Sequence, residues 1–403
     1  MQTLPVAADP SGRTFRFDDL KQRVNLESRT PSEAAPLPGV MIGPDARFIA
    51  QGALATGYDS NIDYLTTGNG GGAYGLTDLG MALVVGPANA QTTAVVRGGY
   101  GYHDIENRPD RWDAGALIDH YRVIAPDTAI DFGAFYLHDD IDVDANERAA
   151  GYYELTRRNA QHDLFLRGRI LDTNYLSNPN DPQTQSLYYA RDATFDNLLI
   201  QQSAGLLLLK DQRLAPYFEV GYGHLDYNHE LNPAVFSRDG DEIWTVGGVR
   251  VTFNDRLHID LGARYNQRWL DDPTISSYDS VFFDGKLVWA PTDQLYFEAN
   301  IDRTFTEPID DQALFTESTS YSLLTVANID PRTRLSLDVG YQIDDQIGDA
   351  ASYREIYGEA RLTYEVDTHT EMFGSLLGSN SRNTDDGEEA NRVNVMVGIR
   401  FTN

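Results

Sequence analysis

The chain has 403 residues, a formal net charge of −29, 41% hydrophobic residues and no cysteine. So acidic a chain repels a phosphate backbone, which excludes nucleic acid as a natural partner. The lack of cysteine removes disulfide frameworks, thiolate zinc sites and Cys nucleophiles together. Mean hydropathy is −0.42, and the nearest approach to a membrane-spanning helix, Leu79 to Val96, is interrupted by the turn-forming run GPANAQTT.

Residues 1–45 hold six of the 17 prolines (Pro5, Pro10, Pro31, Pro36, Pro38, Pro44) and the mixed-charge run RTFRFDDLKQRVNLESR. They read as a flexible N-terminal periplasmic extension, with one helical turn near Phe17 to Val24. The residues after Met1, QTLPVAADP, are polar and proline-containing. The expectation is that a secretory signal has been removed ahead of Met1.

From about Arg47 the pattern changes to alternation. Leu257, Ile259, Leu261, Ala263 and Tyr265 are apolar, whereas His258, Asp260, Gly262, Arg264 and Asn266 between them are polar or small. Leu335 to Ile343 and Val393 to Phe401 repeat the same period of two, which belongs to strands with two different faces. Tight connectors fall at 86–91, 125–128, about 157–160, 210–213, 254–256, 291–294, 330–333 and 366–369. Long acidic ones lie between them, such as YDSNIDYLTTGNGGG, DDIDVDANER and NSRNTDDGEEANR. Eight short and nine long connectors make 18 strands, with 16 as the alternative count.

Strand would then occupy roughly 60% of the chain, too much for an ordinary globular domain. A closed transmembrane antiparallel β-barrel over 46–403 resolves this, since each strand shows one face to lipid and the other to water. Short connectors become periplasmic turns and long ones extracellular loops. Aromatic residues gather at strand ends: Tyr58, Tyr102, Tyr136, Tyr222, Tyr265 and Tyr341 on the loop side, and Phe132, Phe253, Trp289, Phe297, Tyr364 and Phe401 on the turn side. They predict two girdles at the lipid boundaries of a bacterial outer membrane, in contact with lipids and lipopolysaccharide. Eighteen strands ~4.8 Å apart and tilted by roughly 40° give a backbone diameter of ~36 Å.

Three stretches, GYDSNIDYL (57–65), FFDGKLVWAPTDQLYFEANIDRTFTEP (282–308) and the closing run from LSLDVGYQIDDQ to VNVMVGIRF, resemble the outer-membrane putative β-barrel porin 2 family. That family occurs in exopolysaccharide and capsule export loci, and the resemblance covers about 46–403. It implies a conduit for an exported polysaccharide, delivered by a periplasmic polysaccharide export protein. A general or solute-selective diffusion porin is the alternative, and a barrel enzyme the third reading.

No catalytic, cofactor or metal site is expected. His229-Glu230-Leu231-Asn232-Pro233 lacks the second histidine of a zincin. Asp140, Asp142 and Asp144 imitate half of a calcium loop, but Ala145 stands where its glycine belongs. The glycines at 68 and 70–72 have no following Lys-Ser/Thr and read as a loop.

The informative surface is the inward face. Period two places there Arg167, Arg169, Arg250, Arg264, Arg268, Lys286, Arg361 and Arg400, with Asp163, Glu219, Asp260, Glu298, Asp302, Asp338, Glu355 and Glu359. A base facing lipid costs about 2–4 kcal/mol at the midplane, so inward placement is preferred. These charges either pair across strands to hold the wall, or handle cargo, with Arg250, Arg264 and Arg268 forming a ladder for an acidic polymer. Trp244, Phe282, Tyr296 and Tyr357 share this face and offer flat surfaces for sugar rings. Gly133, Gly221, Gly223, Gly248, Gly262, Gly340 and Gly398 also point inward, and are read as places where the wall curves.

Overall fold

A computed structural model describes residues 39–61, 71–104, 110–139, 146–176, 196–209, 212–227, 237–272, 275, 277–306, 313–348, 352–385 and 387–403. They form strands and, among the described residues, no helix. The strands are β1 (Val40–Gly43), β2 (Ala46–Asp59), β3 (Gly72–Val85), β4 (Ala90–His103), β5 (Arg111–Ala125), β6 (Thr128–Asp139), β7 (Asn146–Arg158), β8 (His162–Tyr175) and β9 (Asn197–Leu208). The second half holds β10 (Leu214–Tyr227), β11 (Gly240–Asn254), β12 (Leu257–Leu270), β13 (Tyr278–Thr292), β14 (Leu295–Thr306), β15 (Phe315–Asp330), β16 (Thr333–Ile347), β17 (Ser352–Glu365), β18 (Thr370–Asn383) and β19 (Glu389–Thr402).

From β2 onward every strand ladders antiparallel to the next, and β19 closes on β2. The result is a closed 18-stranded barrel with short connections at one end and the longer ones at the other. Closure satisfies the backbone along the ladder, as a membrane requires, except over the outer half of β13, where its pairing to β14 stops at Gly285. The short strand β1 lies within the stretch read as an extension and pairs with Ala46 to Phe48. That is the part of the β2 edge that β19 does not reach. The C-terminal Asn403 fills the position between them: its backbone N–H donates to the Ala50 carbonyl at 3.1 Å and its Oδ1 accepts the Ala50 N–H at 2.9 Å.

Turn chemistry explains the short end. Asn159, Asn254, Asp330 and Asp367 each turn their side-chain oxygen onto backbone N–H groups two or three residues ahead, at 2.8–2.9 Å, a local closure that Asn and Asp make more readily than other residues. The His369 N–H holds the Asp367 carboxyl below its usual range. In the β5–β6 turn the Arg157 guanidinium, 2.8 Å away, and then the Thr128 hydroxyl do the same for Asp127. Gly86 has φ of +103°, and an added Cβ would meet the Ala90 carbonyl oxygen at 2.2 Å, so the β3–β4 turn requires glycine there.

The run NSRNTDDGEEANR is the expectation that needs correcting. It is mostly strand: β18 continues to Asn383 and β19 begins at Glu389. Polar cross-strand pairs carry this hairpin upward, with Asn380 donating to Asn391 at 2.9 Å and Arg382 facing Glu389 at 3.7 Å. The helical turn near Phe17, the Asp140 to Asp144 run and the His229 to Pro233 stretch lie outside the described residues.

Candidate functional site

The two faces separate as alternation requires. Val339 is 50% exposed on the outer surface and its neighbour Asp338 is 7% exposed on the inner. The twelve girdle aromatics occupy outward positions, with Trp289 stacked on Phe297 at the turn end (5.3 Å between ring centroids) and Tyr321 on Tyr341 at the loop end (6.3 Å).

Inward glycines have a role that composition did not reveal. Gly57, Gly133, Gly205, Gly221, Gly248, Gly340 and Gly398 each lie directly opposite an aromatic residue on the next strand: Tyr74, Tyr152, Phe165, Trp244, Tyr217, Tyr357 and Phe373. In every case a Cβ on the glycine would come within 2.1–2.6 Å of that neighbour's ring or hydroxyl. The rings lie down across the glycines and tile the inner wall, rather than projecting into the bore. This replaces barrel curvature as the reason for these glycines at Gly133, Gly221, Gly248, Gly340 and Gly398.

The inner wall mixes both signs: the sector from β8 to β12 carries Arg167, Arg169, Arg250, Arg264 and Arg268 together with Asp163, Glu219, Glu242 and Asp260, and β16 and β17, across the ring, carry Asp338, Asp344, Glu355 and Glu359 together with Arg361. By strand count β17 is diametrically opposite β8 in a ring of 18.

Several of the expected lumen residues are tied into the wall. Arg250 grips Asp260 with two hydrogen bonds, Nε to Oδ1 at 2.8 Å and Nη2 to Oδ2 at 3.1 Å. Lys286 Nζ donates to Glu298 at 2.7 Å, and the same carboxylate takes the Tyr296 hydroxyl and the Asn300 amide. Arg400 pairs with Glu371 at 3.1 Å beneath the Phe373 ring, and Arg361 stands 4.5 Å from that ring's centroid. Asp338 is buried opposite Glu359, and Tyr357 covers Gly340. The expected ladder of Arg250, Arg264 and Arg268 is therefore divided, with Arg250 a wall residue and the other two elsewhere.

Arg264 and Arg268 meet Arg167, Arg169, Glu242 and Trp244 around a cavity of about 590 Å³ in the inner wall. Arg167 is bound by Glu219 at 2.8 and 3.0 Å, and the Trp244 indole N–H reaches the same carboxylate at 3.5 Å. Arg169 Nε donates to the Gln201 side-chain Oε1 at 2.7 Å and, among the described residues, has no carboxylate partner. The Arg268 guanidinium lies 4.9 Å from the Phe315 ring centroid. Arg167 and Arg169 were legible as inward residues; their meeting with Arg264 and Arg268 was not, because β8 and β12 are far apart in sequence. Among the described residues no group of three or more His, Asp or Glu is placed to hold a metal ion.

A closed meander with a lipid-facing apolar belt and a charged interior defines an outer-membrane β-barrel of the porin type. Solved structures with the same architecture include a BenF-like porin from Pseudomonas fluorescens Pf-5 (TM-score 0.51, 11% identity, covering 89% of this chain and 99% of that one). OccK2 (OpdF) from Pseudomonas aeruginosa (0.51, 11%, 89% and 98%) and OccAB4 from Acinetobacter baumannii (0.50, 10%, 89% and 99%) are similar to it in the same way. At such low identity these likenesses concern the fold alone. No curated protein matches the sequence. Residues 144–403 match the family described as Putative beta-barrel porin 2, well over half of the chain, and the protein belongs to that family.

Proposed function

We propose that this barrel is an outer-membrane channel for hydrophilic solutes bearing carboxylates, with acidic saccharides as the class that suits its wall. The observation that carries this reading is the meeting of Arg167, Arg169, Arg264 and Arg268 around one cavity of the inner wall. Guanidinium groups present planar paired donors to a carboxylate, and fixed charges of both signs along a wall orient a solute carrying charge and hydroxyls. Arg169, without a carboxylate of its own among the described residues, is available to a passing one. Contacts of this kind must be weak and repeated, because one tight site would stall transport.

Secretion of an acidic exopolysaccharide or capsular polysaccharide is the second reading. What favours it is the set of half-buried aromatic rings on the inner wall, Tyr152, Phe165, Tyr217 and Tyr357, flat surfaces on which sugar rings can stack. In that reading a periplasmic polysaccharide export protein delivers the polymer. Purified barrels in liposomes separate the two. Faster entry of galacturonate oligomers than of neutral oligomers of equal length supports the solute channel, and equal rates refute it. Loss of surface polysaccharide on deletion of the gene, restored by the intact gene, supports export.

A further inference from the structure

The seam between β13 and β14 is complete over only its periplasmic half. Ladder pairs run from Thr292 opposite Leu295 to Gly285 opposite Ile301 and then stop, although β13 continues to Tyr278 and β14 to Thr306. Carried onward, the same register would put Phe283 opposite Arg303 and Val281 opposite Phe305. Instead the outer half of β14, still laddered to β15 as far as Thr306 opposite Thr316, lies on the lumen side of β13. Phe305 meets Phe282 edge-on, at 5.1 Å between centroids and 80°. Phe315 meets Tyr278 at 5.3 Å and 68°. Phe282 and Phe315 are left 0% and 1% exposed.

A polar lock accompanies these rings. Glu317, its side chain 3% exposed, is ion-paired with Arg303 and accepts the Tyr278 hydroxyl at 2.7 Å. Asp284 accepts the Arg303 backbone N–H. The sequence explains why the strands part here. The outward row of β14 reads Phe297, Ala299, Ile301, Arg303, and that of β15 reads Tyr321, Thr319, Glu317, so a completed wall would put Arg303 and Glu317 on the outer surface just beyond the Tyr321–Tyr341 girdle. A charge facing lipid is costly at the midplane of the membrane but nearly free near its surface. Both arrangements are therefore accessible, with ring burial and the ion pair favouring the inward one.

We propose that the outer ends of β14 (from Ile301 to Thr306) and β15 (from Phe315 to Thr319) form a movable leaf of the barrel wall. Folded in, it narrows the channel and, through Phe305 and Thr306, bounds the arginine-lined cavity; swung out, it completes the ladder with β13 and widens the bore. The inference rests on the seam and holds whatever solute the channel carries. Because the chain lacks cysteine, Val281→Cys with Phe305→Cys tests the swung-out state, in which those positions are directly opposed. Folded barrels, identified by their shifted mobility on unheated gels, should form this disulfide under mild oxidant. Oxidation should raise conductance about twofold and admit larger neutral polyethylene glycols, since a pore's size limit follows its diameter; reductant should reverse both. Glu317→Gln, which releases Arg303, should shift both readouts the same way without oxidant, and serves if the double variant does not fold. A disulfide that forms without changing the size limit overturns the proposal. So does failure to cross-link combined with wild-type conductance in Glu317→Gln.

Discussion

Trp244 lies flat across Gly221, its direct cross-strand neighbour, and a Cβ on that glycine would sit 2.1 Å from the indole Cε2. The ring cannot retreat freely, because its N–H is directed at Glu219 and the inner wall is crowded around it. Gly221→Ala should therefore destabilise the barrel by about 1–3 kcal/mol, the usual cost of overpacking. Gly247→Ala supplies the control: its Cβ would meet nothing within 4 Å, so the change should stay within about 0.5 kcal/mol. Urea unfolding from lipid vesicles, followed by tryptophan fluorescence, measures both. Equal effects would remove the ring-on-glycine account.

Accessibility of the two faces can be measured at single positions. Asp338 is inward but buried, so a cysteine there would report burial rather than the lumen. Arg250, exposed on the inner wall, and Leu261, 54% exposed on the outer surface of the next strand, are the better pair. In detergent-free proteoliposomes, a charged thiol reagent should modify Arg250→Cys and leave Leu261→Cys unreacted. A lipid-soluble maleimide should reverse that order. Equal labelling of both positions by the charged reagent would invalidate the assignment of faces.

The barrel was legible in the sequence because its cause is local. A period of two, such as Leu257 to Asn266, records on each strand which side meets lipid, and turn residues such as Asn254 and Asp330 punctuate the chain where backbone N–H groups need a nearby oxygen. What was not legible depends on register between strands. Gly221 reads as a weak point until Trp244 is known to be opposite it. Arg250 reads like Arg264 until Asp260 is found across from one and not the other. The parted seam left a fainter trace: Arg303 and Glu317 break the outward rows of β14 and β15, a departure from alternation that the inward reading, which collects only one face, leaves aside.

The division between Arg250 and Arg264 makes a prediction about selectivity. Arg264→Gln combined with Arg169→Gln removes two positive charges from the cavity wall and should shift reversal potentials in a salt gradient toward cations, increasingly so at low ionic strength where screening is weak. Arg250→Gln removes a charge already bound to Asp260, in a pair partly open to water and worth about 0–1 kcal/mol. It should leave stability nearly unchanged and shift selectivity less than the double variant. A larger shift from Arg250→Gln would place the selective wall lower in the barrel, beside Lys286 and Glu298.

Closure of the barrel depends on a different kind of pair. Asp59 near the end of the first barrel strand and Arg392 on the last lie 2.7 Å apart, with side chains 0% and 7% exposed. The same carboxylate accepts the Asn394 amide at 2.7 Å, and Asn394 in turn accepts the Tyr74 hydroxyl at 2.8 Å. Removing one member of a buried pair leaves the other charge without compensation, at a cost of about 3–5 kcal/mol. Asp59→Ala should thus destabilise the folded barrel far more than Asp260→Ala, although each deletes one carboxylate from one arginine. Replacing both charges, with Asp59→Asn and Arg392→Met, should recover much of the loss, since desolvation no longer opposes burial. The fraction of barrel resisting denaturation on unheated gels across a urea series orders the three variants. If Asp59→Ala and Asp260→Ala unfold together, burial does not distinguish the closing seam from the exposed wall, and β2 and β19 are joined by their backbone ladder alone.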